Sequence, residues 1–379
     1  MPEYQLRRLA ARWIGWTPVR IWGMVPVERL RRSLARAGVW DSGPWTGQAP
    51  VEPGAVLLLL GDHVYDDSLV DALAHSPDTA LVRGDGRTVA VNVPRQRADE
   101  VAQAMAAGEE PPADLTRRKG SELVDAAVLR QRGRSVPLVM PVSAELRTAV
   151  EDRLFMAACP GITDAISKYI WPLPAQWITR ACVSLGLSAN AVTLVTLALT
   201  IIAAALFHAG WLWAGLAVAL AMALLDSVDG ALARVTLSTS QLGGALDHAI
   251  DFAHPPLWWW AWWVGCGGGD GGGGGDGGAL VVMVAGWVFL RAEEMLFRWR
   301  FHVDLHLWRR FDSLFRLVTA RRNVILTILT VGLAFGHPLA GFRVAAAWML
   351  LCLTIHAIRI LQAARLVQKG GVPGSWLED

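Results

Sequence analysis

Cysteine is scarce in this chain, and the few cysteines lack the spacing of a metal site. Only four occur among 379 residues, at Cys159, Cys182, Cys266 and Cys352. A disulfide framework or a zinc site needs closely spaced cysteines or cysteine and histidine pairs, so we expect neither. The first residues, up to Trp13, also lack the apolar core of a secretory signal peptide, and we expect no such signal.

Long uninterrupted apolar runs are few as well, although the chain is apolar overall. Hydrophobic residues make up 53% of the sequence, which includes 19 tryptophans, whereas soluble chains hold about 45 to 50% even with glycine counted. Six apolar stretches follow Asn190, near residues 191–207, 211–225, 250–266, 279–290, 324–335 and 344–361. Several are shorter than the ~20 residues that cross a bilayer, so we expect their helices to extend into polar flanks.

The first 158 residues have a different pattern, with many charges and turn signals. Short buried strands are indicated at 56–60, 79–82 and 89–93, and helical patterns alternate with them at 27–37, 68–75 and 98–107. The expected fold is therefore an α-helical polytopic membrane bundle of six transmembrane helices, with an N-terminal soluble α/β domain. The expected boundaries are 1–158 for the α/β domain, 159–189 for an amphipathic juxtamembrane connector, 190–365 for the membrane domain and 366–379 for a tail.

A group of acids lies between the second and third apolar stretches. Asp226 and Asp229 are spaced i,i+3, and Asp247 and Asp251 are spaced i,i+4, so each pair shares one helix face. Two helix ends could then aim four carboxylates at one point, where unneutralised charges would repel each other. Such a cluster takes up protons or holds cations, and an oxygen-only ligand set suits Mg²⁺, Mn²⁺ or Ca²⁺.

These acids fall in the frame D-x2-D-G-x2-A-R-x8-G-x3-D-x3-D, which Gly230, Ala233, Arg234 and Gly243 complete. The frame resembles the signature of the CDP-alcohol phosphatidyltransferases, integral membrane enzymes that move a phospho-alcohol from a CDP-linked donor to a hydroxyl and release CMP. The segment 188–193 is similar to the entry of that family's first membrane helix, although Ala189 replaces the usual proline. The resemblance covers about residues 160 to 365 and leaves the acceptor open.

The resemblance implies a role for each motif residue. Asp226, Asp229 and Asp247 would hold metal, and Asp251 would complete a second site and act as general base. Two divalent cations, Mg²⁺ or Mn²⁺, would then clamp the donor diphosphate. The expected nucleotide-binding residues are Asn190, Thr193, Gly230, Ala233, Arg234 and Gly243.

Arginine is concentrated between the fourth and fifth apolar stretches, whereas 208–210, 265–278 and 336–341 hold almost no positive charge. By the positive-inside rule, the arginine-rich side, the acid motif and both termini are cytoplasmic. Four arginines lie where helices should converge on the acids and are candidates for binding a phosphorylated acceptor: Arg291, Arg310, Arg322 and Arg359. Lipid-facing or solvated roles are the alternative for these side chains.

Histidines and tryptophans beside the motif have simpler interpretations. His248 points away from the face that Asp247 and Asp251 share, which favours a structural role, and His254 shares that face and could touch substrate or bond within the bundle. The tryptophans at 258–260 and 262–263 are interpreted as an interfacial aromatic belt with lipid-facing packing.

The N-terminal segment Gly61-Asp62-His63 follows a predicted strand and resembles the strand end of sugar-phosphate and inositol-phosphate nucleotidyltransferases, where an acid such as Asp62 holds metal. The glycine-rich phosphate loop of that family is missing before Pro26, so the domain is interpreted as a degenerate nucleotidyltransferase. A bifunctional enzyme that makes its own CDP-alcohol from CTP, for example CDP-inositol, is the alternative. Other classes with acid-rich membrane motifs are intramembrane prenyltransferases and divalent-metal transporters.

The expected partners are a CDP-alcohol donor and a hydroxyl acceptor, one of them a lipid, in phospholipid or related lipid biosynthesis. The family resemblance also implies a homodimer in a bacterial or archaeal cytoplasmic membrane. No nucleic-acid partner is expected.

Overall fold

The computed structural model describes residues 9–50, 54–131, 133–134, 136–239, 241–268 and 277–378, with 241 and 242 described for their backbone alone. The middle of the glycine-rich segment expected to be external, residues 269–276, lies outside this set. Two compact units are present. The first holds the residues up to Ala158 together with Arg234–Leu237, and the second holds Cys159–Ala233 and the residues from Ser238 onward.

The first unit is an α/β domain, as the sequence predicts. Its strands are β1 (Leu9–Ile14), β2 (Ser42–Pro44), β3 (Ala55–Leu60), β4 (His63–Tyr65), β5 (Thr79–Val82), β6 (Thr88–Pro94), β7 (Thr116–Lys119) and β8 (Val139–Pro141). Its helices are α1 (Pro26–Arg36), α2 (Asp67–Ala74), α3 (Arg95–Ala107), α4 (Gly120–Leu123), α5 (Ala126–Gln131) and α6 (Arg147–Ala158). The three strands and three helices expected from the sequence are all present, and β1, β2, β4, β7 and β8 were not expected.

Six strands form one mixed sheet in the order β2-β1-β3-β6-β5-β7. Strand β1 pairs in parallel with β2 and β3, whereas β6 runs antiparallel to its neighbours β3 and β5. The apolar run of β3 is buried almost along its whole length, as expected for a strand covered on both faces. Strands β4 and β8 form a separate antiparallel pair.

The connection between β1 and α1, residues 15–25, packs against α6 through a buried tryptophan. Trp22 is 2% exposed and packs against Phe155 of α6, with ring centroids 6.0 Å apart. Its indole Nε1 donates to the Glu151 carbonyl oxygen at 3.0 Å, and its backbone N–H donates to the Glu151 carboxylate at 3.2 Å. The indole and its hydrogen bonds therefore tie this connection to α6 and fill the space between them.

The second unit is helical. Its elements are α7 (Ala165–Tyr169), α8 (Pro172–Ser184), α9 (Ala189–His208), α10 (Leu212–Val235), α11 (Gln241–Gly265), α12 (Gly277–Phe301), α13 (Leu305–Trp308), α14 (Arg310–Phe315), α15 (Arg322–Ala334) and α16 (Pro338–Gln368). Ser188 caps α9 by accepting the Ala191 N–H at 3.2 Å, so the helix begins without the proline that usually stands at 189.

Each of the six apolar stretches lies in a helix of this unit. Among the described residues, α9, α10 and α16 are long and apolar enough to cross a membrane, and α15 is a shorter apolar helix of 13 residues. The chain is thus a membrane protein with candidate spanning helices in its second unit. The full count of six spans stays a prediction.

Tryptophan packing in the bundle differs from the expected interfacial belt. Trp258, Trp259 and Trp262 of α11 are fully buried, whereas Trp260 is 43% exposed. The Trp258 indole donates to the Thr200 carbonyl oxygen at 3.0 Å, and Trp262 meets the Phe207 ring edge to face at 5.2 Å. The lipid-facing interpretation was wrong for these three residues, because α11 turns this face against α9 and the large indoles fill the helix interface.

Candidate active site

Two helix ends bring three of the motif acids together. Asp226 lies near the C-terminal end of α10, and Asp247 and Asp251 lie in the first half of α11. One carboxylate oxygen from each of these three residues lies within 4.8 Å of the other two. The i,i+4 spacing on α11 places both of its acids on the face that meets Asp226.

Asp229 has a different environment from the other three acids. It is 3% exposed, and its Oδ2 accepts a hydrogen bond from the Thr193 hydroxyl at 2.8 Å. Thr193 stands one turn into α9, where its hydroxyl is also 3.1 Å from the Ala189 carbonyl oxygen. Asp229 therefore ties α10 to the start of α9 in this structure, and it is outside the group of three converging carboxylates.

A guanidinium group binds two of the converging acids. Arg322, the first residue of α15, donates Nη2 to Asp226 Oδ2 at 2.7 Å and Nη1 to Asp251 Oδ1 at 3.1 Å. The Arg322 side chain is 13% exposed, and Asp226 is 14% exposed. One guanidinium thus offsets part of the charge of two carboxylates from two helices, which would otherwise repel each other.

The donor set of this cluster fits a hard divalent cation. It consists of carboxylate oxygens alone, which Mg²⁺ and Mn²⁺ prefer over nitrogen or sulfur ligands. The three oxygens come from two helices and are close enough to share one ion. The pairing with Arg322 shows that two of these carboxylates, Asp226 and Asp251, already face a positive charge.

The remaining motif residues are placed as follows. Asn190 is exposed in the first turn of α9, and Gly230 and Ala233 lie on α10 one and two turns beyond Asp226. Gly243 lies at the start of α11. The Arg234 side chain is exposed and donates Nε to the Ala158 carbonyl oxygen at 2.8 Å. Nucleotide binding by these residues stays a prediction.

A second charged cluster surrounds one carboxylate of α12. Arg321 donates Nη2 to both oxygens of Glu294, at 2.8 and 2.6 Å, and Arg291 donates Nη1 to it at 3.2 Å. His306 Nε2 lies 3.0 Å from Glu294 Oε1, and Arg316 Nη1 lies 3.7 Å from the same oxygen. We call Arg291, Glu294, His306, Arg316 and Arg321 the arginine cluster.

Positive charge exceeds negative charge in the arginine cluster. Three guanidinium groups share one carboxylate, and burial lowers the pKa of the His306 imidazole. Burial likewise lowers the pKa of the Arg316 guanidinium, the mark of a cation held away from water. A site of this kind attracts an anion. Glu294, His306 and His356 lie close enough together to hold a metal ion, but the excess positive charge of the arginines disfavours a cation there.

Two of the four arginines predicted for the acceptor lie elsewhere. Arg359 is 8% exposed and forms two bonds with Asp312, from Nε at 2.6 Å and Nη2 at 2.7 Å. Arg310 is exposed and lies over the Trp376 ring, 5.3 Å from its centroid. Of the predicted set, Arg291 joins the arginine cluster and Arg322 joins the acids.

The two histidines beside the motif have unequal surroundings. The His248 side chain is 86% exposed. His254 is buried, with Nδ1 2.7 Å from the Ile250 carbonyl oxygen and Nε2 3.4 Å from Arg322 Nη1. His254 therefore lies within the bundle and next to the guanidinium that binds the acids.

Sequence reasoning missed several residues of the arginine cluster. In the sequence, Arg316 and Arg321 belong to the arginine-rich segment that predicts only membrane orientation, and no motif singles out Glu294, His306 or His356. The available signal was the pair Glu293 and Glu294 one turn after the fourth apolar stretch, because acids at such a depth are costly unless they have partners.

Comparison with known proteins gives two matches. The family model described as CDP-alcohol phosphatidyltransferase matches residues 187–368. Archaetidylinositol phosphate synthase from Pyrococcus horikoshii is 38% identical over 79 residues, which are 21% of this chain and 42% of that protein. The aligned part therefore covers less than half of either chain.

Proposed function

We propose that this chain, whose residues 187–368 form a CDP-alcohol phosphatidyltransferase domain, transfers a phospho-alcohol from a CDP-linked donor to an acceptor hydroxyl and releases CMP. The observation that carries the proposal is the meeting of Asp226, Asp247 and Asp251 within 4.8 Å at two helix ends. The family match supports transfer chemistry in lipid synthesis, and the acids supply the groups which that chemistry needs.

In the proposed reaction, the acceptor oxygen attacks the phosphorus of the transferred group. The new bond from phosphorus to oxygen forms, the bond from that phosphorus to the CMP oxygen breaks, and CMP leaves. Asp251 takes the hydroxyl proton. Of the two carboxylates that Arg322 binds, Asp251 is the more exposed, at 47% against 14% for Asp226, and can reach an incoming substrate. Asp226 and Asp247 hold the cation, with Asp229 and Asp251 completing the set for two ions as the family resemblance implies.

Bound Mg²⁺ or Mn²⁺ would neutralise the donor diphosphate and the charge that develops on the leaving CMP. The chain's own residues position the reactants around it. Gly230 leaves space for the nucleotide to approach, and Arg234 supplies a guanidinium for a phosphate oxygen. Asn190 and Thr193 stand at the start of α9, and Thr193 fixes Asp229 through its hydroxyl.

The acceptor that fits best is a phosphorylated polyol. Its phosphate would bind the arginine cluster, whose three guanidinium groups exceed the single charge of Glu294. Buried polar atoms without a hydrogen-bond partner among the described residues lie close by, namely Glu293 Oε2, His306 Nδ1 and both ring nitrogens of His356. Such atoms are costly unless a ligand bonds them, and the hydroxyls of a polyol could do so. The Pyrococcus relative is named for archaetidylinositol phosphate, a lipid that contains the polyol inositol and a phosphate.

A lipid donor and a water-soluble acceptor would meet at the membrane face. The arginine-rich segment between α12 and α15 favours a cytoplasmic location for this face and for both termini. Helix α8 would lie at the membrane surface, because it exposes Leu173 and Trp177. A homodimer is proposed from the family resemblance alone.

The N-terminal unit is proposed to be a nucleotidyltransferase-like domain that no longer makes CDP-alcohols. Backbone N–H groups that cradle phosphates need an open loop after β1, and in this protein Trp22 and Glu151 fill that connection. The bifunctional alternative needs space at that place for a triphosphate.

The test is metal-dependent CMP release by the purified full chain, with CDP-diacylglycerol or CDP-archaeol as donor and inositol phosphate as acceptor. Lipid product is identified by mass spectrometry. Release of CMP in Mg²⁺ or Mn²⁺ that stops in chelator supports the proposal. A prenyltransferase or a metal transporter would release no CMP from these substrates, so the absence of CMP would overturn the proposal.

A further inference from the structure

Three consecutive residues at the start of α15 bind three different parts of the bundle. Arg321 binds Glu294 of α12, and Arg322 binds Asp226 of α10 and Asp251 of α11. Asn323 is 3% exposed and donates Nδ2 to both oxygens of Asp164, at 3.1 and 3.3 Å. The position of this helix end therefore sets the position of both charged clusters.

Asp164 lies ahead of the matched domain and outside the acid motif. It is 7% exposed and caps α7, where it accepts the backbone N–H groups of Ile166 at 3.1 Å and Ser167 at 3.0 Å. The Ser167 hydroxyl donates to its other oxygen at 2.8 Å. The next backbone N–H, of Ala165, donates to the Leu317 carbonyl oxygen at 2.9 Å, which adds a second link between α7 and the segment before α15.

The groups that donate hydrogen bonds to Asp164 are all neutral, and the Arg316 and Arg322 guanidinium groups act on its buried charge only through space. Its carboxylate oxygens keep their hydrogen bonds only while each donor stays in place. Losing Asn323 Nδ2 would leave part of a buried charge unsatisfied. The pair therefore resists displacement of α15 relative to α7.

We infer that Asp164 is a positioning residue for the proposed transfer reaction: by holding Asn323, it fixes the start of α15 and so keeps Arg322 on the motif acids. Asn323 follows Arg322 directly, so a shift of about 1 Å at Asn323 moves the guanidinium by a similar distance. Errors of this size in a catalytic arrangement can cost about 100-fold in rate. The inference rests on the proposed function for its effect on turnover, while the link from Asp164 to Arg322 is a property of the fold.

Charge reversal within the pair tests this link. Asn323→Asp places two carboxylates face to face, and we expect kcat for CMP release to fall at least 30-fold with the donor KM changed less than 3-fold. Adding Asp164→Asn exchanges the two roles, so that the amide at position 164 donates to the carboxylate at position 323. Capping of α7 is kept, because asparagine is as good an N-cap as aspartate. The double variant should recover kcat to within about 3-fold of the unmodified chain. Thr330→Ala, two turns along α15, is the control and should keep full activity, because the Thr330 hydroxyl donates to the Leu326 carbonyl oxygen within the same helix.

Mn²⁺ affinity, measured by electron paramagnetic resonance in detergent, gives a readout that needs no turnover. Asn323→Asp should tighten Mn²⁺ binding at least 5-fold, because a displaced Arg322 no longer competes for the carboxylate oxygens. In the double variant, Mn²⁺ affinity should return to that of the unmodified chain. Failure of the double variant to recover either quantity would overturn the inference, as would unchanged Mn²⁺ affinity in Asn323→Asp. If the unmodified chain releases no CMP, the proposed function fails, and the Mn²⁺ pattern still decides the inference.

Discussion

The guanidinium of Arg322 lies 2.7 Å from the Asp226 carboxylate and 3.1 Å from that of Asp251, so one side chain from α15 joins the two helices that carry the acid motif. A guanidinium at this point screens the repulsion between acids and keeps their oxygens directed at a common centre. The same oxygens are those that we propose for the metal.

Replacing the proposed base should remove turnover without unfolding the protein. Asp251→Asn keeps the shape of the side chain and its acceptor oxygen for Arg322, yet it cannot take a proton, so kcat should fall about 100-fold or more. CMP formation and circular dichroism measure the two quantities. His248→Gln, at an exposed site three residues away, should behave as the unmodified chain does. Full activity in Asp251→Asn would remove the base assignment.

Loss of an acid from the converging group should remove the metal. Asp226→Ala deletes a carboxylate that Arg322 also binds, and we expect Mn²⁺ affinity to fall at least 10-fold, with CMP release lost together with it. The control is Asp304→Ala, since that carboxylate pairs with Arg298 away from the acids. Activity that persists in chelator would contradict metal dependence itself.

Acceptor affinity should depend on the arginine cluster. Arg321→Gln and Arg291→Gln each remove a charged donor from Glu294 and from the expected phosphate, so the acceptor KM should rise about 10- to 100-fold. The donor KM should change less than 3-fold. Exposed Arg310 serves as the comparison, and Arg310→Gln should leave both constants unchanged. Equal changes in the acceptor KM and the donor KM would show that these arginines serve membrane orientation instead of acceptor binding.

The N-terminal unit should contribute no cytidylyl transfer. With CTP and inositol phosphate as substrates, the full chain should form no pyrophosphate above background, because Trp22 occupies the connection after β1. Asp62→Ala should leave CMP release within 2-fold of the unmodified chain. Pyrophosphate that disappears in Asp62→Ala would instead establish the bifunctional alternative.

Membrane orientation can be read from cysteine labelling. In a variant without the four native cysteines, Ala209→Cys after α9 should react with an impermeant thiol reagent added to intact cells. Ser238→Cys, after α10, should be protected until the membrane is opened. The reverse pattern would place the acid motif outside.

Local features of this fold could be predicted from the sequence with good accuracy. The apolar runs at 56–60 and 89–93 predicted β3 and β6 because burial on both faces of a strand demands continuous apolar residues. The edge strands β2 and β7 were missed because each is short and carries no apolar pattern. The six apolar stretches marked six helices, although three of them meet the length and hydropathy of a span among the described residues.

The acid site could be predicted only in part. Helical spacing placed Asp247 and Asp251 on one face, and the frame of the motif named all four acids. The packing of α9 on α10 decides that Asp229 bonds Thr193, while the other three motif acids converge. No spacing rule contains that information, because the two residues are 36 positions apart.

The sequence alone thus determined the six apolar helices, three strands and three helices of the α/β unit, the membrane character and the acid motif, since these follow from patterns within a few turns of chain. Tertiary structure decided which charges meet. Arg321 and Arg322 are neighbours with the same side chain, yet the first binds Glu294 and the second binds Asp226 and Asp251. Arg321 precedes the first turn of α15 and has an extended backbone, whereas Arg322 is the first helical residue, so their side chains leave the chain in different directions. The packing of the neighbouring helices then selects the partner of each.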